Sequence, residues 1–183
     1  MVPIVVEKKK YTYEDYLKTP EDKRYELIDG ELLVTPSPTP YHQRVSRKLE
    51  FILESFITKN NLGEIFYAPC DVYLDNKNVV QPDMLFISQD RLNSIGDKHI
   101  QSAPNLMIEI ISENSVYRGM VQKKRLYARF DVKEYWIVIP EEKEVEVYIL
   151  KGKAYQLYKT YTKVDILESP SLKGLKIGLK EIF

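Results

Sequence analysis

The segment LMIEIIS, from Leu106 to Ser112, is apolar at almost every position, and Glu109 is its one charged residue. Successive side chains of a β-strand point to opposite faces, so a strand of this kind is covered on both sides. A lone ionised carboxylate in that place costs several kcal/mol unless a cation or a metal ion meets it. Glu109 is therefore either half of a buried ion pair, with an arginine as the expected partner, or part of a functional site.

The rest of the chain alternates between helical and extended patterns. Apolar residues at helical spacing, among them Val45, Leu49 and Leu53, predict a helix from His42 to about Asn60. A second helix is expected from about Val116 to Phe130, a short one from Thr12 to about Lys18, and a hairpin at Tyr25 to Val34 around Asp29-Gly30. Strands are predicted at 64–68, 71–74, 83–87, 106–111, 134–139 and 144–150, and near Tyr155 and Ile166. This order predicts an α/β or α+β domain with a mixed sheet flanked by helices and an N-terminal hairpin.

Composition limits the class of protein. The chain has 183 residues, with 27 Lys and Arg against 27 Asp and Glu, which fits one domain and argues against a non-specific nucleic-acid coat. One cysteine, Cys70, and two histidines leave no internal disulfide and no Cys/His zinc cage. No apolar run approaches the roughly 20 residues that span a bilayer, and the N-terminus lacks the apolar core of a signal peptide. A cytoplasmic protein without a membrane partner is expected.

The second predicted helix carries a charged residue on its inward face. Met120 and Tyr127 lie on one apolar stripe, and Lys123 falls between them at helical spacing, while Lys124 lies at the edge of that face. An inward lysine one helix after an inward glutamate suggests that Lys123 and Glu109 share a site. The alternatives are a structural Lys–Glu ion pair, or a lysine that extends past apolar neighbours to solvent.

Three further residues join this set as candidates. Asp83 opens the strand that follows Pro82, where an aspartate is often only a turn residue. Glu26 lies on one face of the hairpin. His42 begins the first long helix, where a lone histidine is more often a core or capping group than a ligand.

A cluster of Asp and Glu side chains favours a particular chemistry. Carboxylates brought together without a cation repel one another, and all-oxygen clusters of this kind suit Mg²⁺ or Mn²⁺, which bridge to a substrate phosphate. A nearby lysine can orient the attacking water or hold a phosphate oxygen. The set therefore indicates metal-dependent phosphodiester hydrolysis. No GxGxxG, P-loop or GxSxG motif supports a dinucleotide enzyme, a nucleotide triphosphatase or a serine hydrolase.

The order of motifs resembles a known family. YELIDGEL, a helix beginning with His42, QPDMLFI, APNLMIEIIS, QKKRLYARF and VKEYWIVIP together are similar to the Uma family, also called domain of unknown function 820. Its members are small bacterial proteins regarded as restriction endonucleases of the PD-(D/E)XK nuclease superfamily. The resemblance covers roughly residues 11–150, with an N-terminal arm at 1–10 and C-terminal strands at 151–183 in a single nuclease-like domain.

The resemblance implies a restriction-endonuclease-like fold, a mixed sheet flanked by helices, and a set of site residues. The PD of the superfamily motif falls on Pro82-Asp83, and its acidic position falls on Glu109. Ile111 stands where many superfamily members carry lysine, and the family places its lysine on the following helix, at Lys123. Glu26 and His42 match the hairpin glutamate of the family and its residue at the helix start.

The functional expectation follows from these assignments. Asp83, Glu109 and Glu26 would be metal ligands, Lys123 would orient water or stabilise charge, and His42 would face the phosphate. The expected function is a Mg²⁺-dependent DNA endonuclease, with Mn²⁺ as a possible replacement ion. A homodimer would allow both strands to be cut. The alternative is a non-catalytic module that keeps the nuclease fold and binds a nucleic acid or a protein partner.

Overall fold

The computed structural model describes residues 10–111 and 117–183. The helices are α1 (Tyr13–Tyr16), α2 (Pro40–Lys59), α3 (Tyr117–Arg129) and α4 (Leu179–Ile182), with a 3-10 helix at Gln89–Ser94. The strands are β1 (Arg24–Ile28), β2 (Glu31–Thr35), β3 (Gly63–Tyr67), β4 (Val72–Asp75), β5 (Asn78–Val80), β6 (Met84–Ser88), β7 (Leu106–Ile110), β8 (Glu134–Ile139), β9 (Glu144–Lys151), β10 (Ala154–Thr162), β11 (Ile166–Glu168) and β12 (Lys176–Gly178). The predicted start of the second helix at Val116 lies outside the described residues.

A six-stranded sheet in the order β10-β9-β8-β7-β6-β3 forms the centre of the molecule. β7 runs parallel to β8 and antiparallel to β6, so the sheet is mixed, as predicted. All five residues of β7 are buried, which confirms that this strand is covered on both faces. A second, antiparallel sheet has the order β2-β1-β5-β4.

Two apolar layers cover the six-stranded sheet. On one face, α2 packs through Val45, Leu49 and Leu53 together with the C-terminal segment that ends in α4. On the other face, α3 contributes Leu126 and Tyr127, and the four-stranded sheet completes the layer. No helix in the described part of the chain is both long enough and apolar enough to cross a membrane.

Local sequence signals explain how the elements near the site begin and end. Asp29 and Gly30 both have positive φ values, 50° and 75°, as a two-residue hairpin turn requires, and they join β1 to β2. Thr39 accepts a hydrogen bond from the His42 amide and Pro40 occupies the first turn, so α2 begins two residues earlier than predicted. The capping box of Thr12 and Asp15 is also present at α1.

The register of the central strands places the two acidic motif residues close together. Met84 of β6 pairs with Ile108 of β7 in antiparallel register. The residue before Met84 therefore lies beside the residue after Ile108. Consistent with this, the Ile110 amide donates to Oδ2 of Asp83 at 2.7 Å. The fold thus carries Asp83 and Glu109 to the same end of the sheet.

Candidate active site

All five residues singled out in the sequence line one cavity of about 430 Å³, here called the carboxylate cavity. Its lining includes Glu26, His42, Asp83, Glu109 and Lys123. They come from β1, α2, the entrance to β6, β7 and α3, so five parts of the fold converge on this point.

Lys123 lies at the centre of the charged group. Its Nζ lies 2.9 Å from Oε1 of Glu26 and donates to both carboxylate oxygens of Glu109 at 3.0 Å. The Lys123 side chain is 14% exposed. Glu109 therefore has a cation, as its burial requires, but the cation is a lysine and the expected arginine partner was wrong. The Lys–Glu ion pair that the sequence left open as an alternative is present, with a second carboxylate added to it.

Tyr127 and Gln81 complete the contacts around the two glutamates. The Tyr127 hydroxyl donates to Oε1 of Glu109 at 2.6 Å, and the Gln81 backbone N–H donates to Oε1 of Glu26 at 2.8 Å. Sequence reasoning placed Tyr127 only in an apolar stripe and missed Gln81. Gln81 could have been noticed because it directly precedes Pro82-Asp83. Nothing in the sequence indicated where the Tyr127 hydroxyl would point.

The two buried charges respond differently to their surroundings. Burial raises the pKa of Glu109 to about 7, against the lowering influence of Lys123 and with the support of the Glu26 and Asp83 charges. Burial alone would lower the pKa of Lys123, but Glu109 and Glu26 outweigh it and hold that pKa above its usual value. Lys123 is therefore an ammonium at neutral pH, and Glu109 holds its proton to a higher pH than a free glutamate.

His42 and Asp83 form the second half of the site. His42 Nε2 lies 3.3 Å from Oδ1 of Asp83, with the two side chains 12% and 17% exposed. Burial acts to lower the pKa of His42, but the hydrogen bond and the charge of Asp83 prevail and raise it. His42 is therefore tied to Asp83 and carries more positive charge at neutral pH than a free histidine.

Lys124, the neighbour of the central lysine, does not enter the cavity. Its Nζ lies 3.3 Å from the centroid of the Tyr148 ring, and the residue is partly buried. Lys124, placed by the sequence at the edge of the inward face, is thus covered in part by this aromatic ring and does not reach mainly solvent. The inward placement of Lys123 agrees with the predicted helical register, and Arg125, two residues later, is exposed.

The donor chemistry of the cavity suits a hard divalent cation. Within the described residues, no group of three or more His, Cys, Asp or Glu side chains is arranged to hold a metal ion. Mg²⁺, however, is usually held by one or two carboxylates together with waters and substrate phosphates. Asp83 and Glu109 offer two carboxylates on neighbouring strands at the wall of one cavity, which fits such an ion.

Comparison with known proteins identifies the family. The family model "Uma2: Putative restriction endonuclease" matches residues 13–180. A solved structure of a DUF820 protein from Anabaena variabilis, titled a putative nuclease, superposes with a TM-score of 0.79 and 19% sequence identity, covering 94% of this chain and 97% of that one. This likeness shows that the two proteins share a fold. No curated protein matches the chain. The match over residues 13–180 shows that the chain belongs to the Uma2 family.

Proposed function

We propose that the protein is a metal-dependent DNA endonuclease that hydrolyses phosphodiester bonds. The observation that carries this proposal is the convergence of three carboxylates, a charged lysine and a histidine on one cavity in a member of the Uma2 family. Restriction-endonuclease-like families generally use divalent metal ions. A homodimer would place two such sites on the two strands of a duplex, because a two-fold axis relates both the subunits and the strands.

The two acidic motif residues have the role of metal ligands in this proposal. Asp83 and Glu109 would hold Mg²⁺ or Mn²⁺, and Glu26 would be an additional ligand or would position water. When bound, such an ion lowers the pKa of a water molecule and neutralises charge on the phosphate. The Gln81 backbone N–H donates to Glu26 and so keeps that carboxylate directed at the cavity.

Lys123 acts as a fixed positive charge. Because its pKa is raised, it does not serve as a base at neutral pH. Its ammonium has three donors, of which two or more now contact Glu26 and Glu109. Turning one of them to a non-bridging phosphate oxygen or to the attacking water stabilises charge that develops during hydrolysis.

His42 assists on the other side of Asp83. Its hydrogen bond with Asp83 holds the imidazole ring at the wall of the carboxylate cavity. Its raised pKa favours the imidazolium. An imidazolium there would face the phosphate and hold the Asp83 carboxylate in place.

A non-catalytic DNA-binding module is the second candidate. One observation favours it: Lys123 already engages both oxygens of Glu109, so the carboxylates are satisfied without any ion. Ile111, which stands where the motif usually has a lysine, also favours the binding module.

Relaxation of supercoiled plasmid separates the two candidates. The unchanged protein should nick plasmid in Mg²⁺ or Mn²⁺ and not in EDTA, and Asp83→Asn and Glu109→Gln should each abolish nicking. Isothermal titration with Mn²⁺ should show a site that both substitutions remove. Arg125→Ala, an exposed change outside the cavity, is the control. Metal-independent DNA binding with no nicking and no Mn²⁺ site would contradict the proposal and favour the binding module.

A further inference from the structure

A second cavity, of about 600 Å³, adjoins the carboxylate cavity and is here called the arginine cavity. It is formed by the first turns of α2, the end of β3 and the loop before α2. Arg24, Pro38, His42 and Asp83 line both cavities, so the two are continuous across the Asp83–His42 pair.

The arginine cavity presents guanidinium groups that the protein does not use. Arg44 and Arg47 lie three residues apart on α2, both are exposed, and within the described residues neither has a carboxylate within 4 Å. Other arginines are engaged: Arg91 donates to the Ala103 carbonyl and Arg129 pairs with Asp29. Two neighbouring uncommitted guanidinium groups are suited to bind phosphate oxygens.

Tyr67 adds an aromatic surface to the same cavity. It is the last residue of β3, the edge strand of the six-stranded sheet, and it is 56% exposed. Within the described part of the chain its ring has no aromatic partner. An exposed aromatic ring beside a basic groove is the combination that proteins use for single-stranded nucleic acids, because every base can stack on it.

The carboxylate cavity, on the other side of Asp83, has an apolar surface as part of its lining. Leu33, Pro36 and Met120 form this apolar part of the lining. A strand that crosses Asp83 therefore meets positive charge and an aromatic ring on one side, and an apolar wall on the other. An unpaired base can stack on the exposed Tyr67 ring, whereas a base paired inside a duplex is turned inward and does not present its face to the ring.

We propose that the substrate is DNA with an unpaired segment beside the cleaved bond, and that the arginine cavity binds this segment. Arg44 and Arg47 contact its phosphates, Tyr67 stacks on one base, and the apolar wall near Leu33 receives the nucleoside on the other side of the scissile phosphate. This inference rests on the proposed nuclease function and specifies its substrate.

The test is fluorescence anisotropy of labelled oligodeoxythymidine and of a blunt duplex of the same length, both in EDTA so that no strand is cut. The protein should bind the single strand more tightly than the duplex. Tyr67→Ala should weaken single-strand binding by about 5- to 150-fold, and Tyr67→Phe, which keeps the ring, should restore it. The double substitution Arg44→Ala, Arg47→Ala should reduce the slope of log K against log salt by about 1.4, as expected for two phosphate contacts on a single strand.

Arg125→Ala is the matched control, because Arg125 is an exposed arginine on α3 that lines neither cavity. Its affinity and salt slope should equal those of the unchanged protein. Equal or tighter binding of the duplex, together with Tyr67→Ala and arginine variants that behave like Arg125→Ala, would overturn this inference. In that case plasmid nicking would still stand as evidence for the nuclease. An unchanged protein that binds neither oligonucleotide in EDTA would also overturn this inference, whereas the nuclease proposal is decided by plasmid nicking in Mg²⁺ or Mn²⁺.

Discussion

Glu109 and Glu134 are both buried carboxylates in neighbouring parallel strands, β7 and β8, yet they occupy opposite faces of the six-stranded sheet. Glu109 is 9% exposed and Glu134 is fully buried. Glu134 lies on the face of Trp136 and α2, whereas Glu109 lies on the face of Met107 and α3. By burial alone, Glu134 would be the more unusual of the two.

The two glutamates differ in the groups that bind their carboxylates. Among the described residues, Glu134 accepts hydrogen bonds only from neutral donors: Trp136 Nε1 at 2.6 Å, the Ser171 amide at 2.7 Å and Ser169 Oγ at 2.9 Å. These bonds fasten the C-terminal segment to the sheet. Glu109 instead shares an ammonium with Glu26 and opens onto a cavity. A buried carboxylate closed by neutral donors is structural, and one that faces a second carboxylate across a cation is suited to chemistry.

The largest expected effect is on turnover, and it concerns Lys123. Lys123→Ala should lower the rate of DNA cleavage by about 10³-fold, because a positive charge aimed at the reacting phosphate is lost. DNA affinity should change little, since the charge acts mainly in the transition state. Single-turnover cleavage and anisotropy measure the two quantities, and a melting curve confirms that the variant is folded. Cleavage at the unchanged rate would remove Lys123 from the mechanism.

Glu134→Ala should produce a loss of stability without a loss of metal binding. It leaves the Trp136 indole, the Ser169 hydroxyl and the Ser171 amide without their acceptor in a buried place, at a cost of about 3 kcal/mol in the free energy of unfolding. Urea denaturation measures this loss. Mn²⁺ binding by the folded variant should be unchanged. A loss below about 1 kcal/mol would show that Glu134 does not fasten the C-terminal segment.

The pH dependence of stability should distinguish Glu109. Its pKa is raised from 4.5 when unfolded to about 7 in the folded protein. The native state therefore holds a proton that the unfolded chain releases between these values, and the free energy of unfolding should fall as pH rises from about 4.5 to about 7.

The size of this fall should be on the order of 2 kcal/mol, measured by urea denaturation in EDTA across that pH range. Glu109→Gln should remove it. His42, whose pKa is also raised, contributes a fall of the same sign, so the difference between the unchanged protein and Glu109→Gln isolates the glutamate. Identical pH profiles for the two proteins would refute the assignment.

The smallest effect belongs to Lys124. Lys124→Ala removes the contact of its ammonium with the Tyr148 ring, and should reduce stability by about 0.5–1 kcal/mol. The cleavage rate should stay within twofold of the unchanged protein, about the scatter of such assays. A rate loss as large as that of Lys123→Ala would show that the two neighbouring lysines act on the same site.

The features predicted correctly were those encoded locally. Asp29-Gly30 specified the hairpin because both residues accept positive φ. Glu109 and Lys123 were found because each interrupts an apolar pattern whose period fixes the direction of the side chain. The family resemblance pointed to the same two residues.

The features that were missed depend on distant partners or on very short elements. Glu134 stands first in its strand, where a charge is ordinary, and two of its partners, Ser169 and Ser171, follow 35 and 37 residues later. β5 and β12 have three residues each, too few to show a period. Arg44 and Arg47 were not singled out, because only the folded chain shows the cavity beside them.

Because Lys123 bridges Glu26 and Glu109, folding of the protein would not require the metal ion that its proposed activity requires. Small zinc domains unfold when the metal is removed, because the ion is what holds their ligands together. Here an ammonium supplied by the chain already pairs with both carboxylates, so we expect the protein to fold and to keep its architecture in chelator. The concentration of divalent ions, and not the amount of folded protein, would then determine what fraction of the molecules is active.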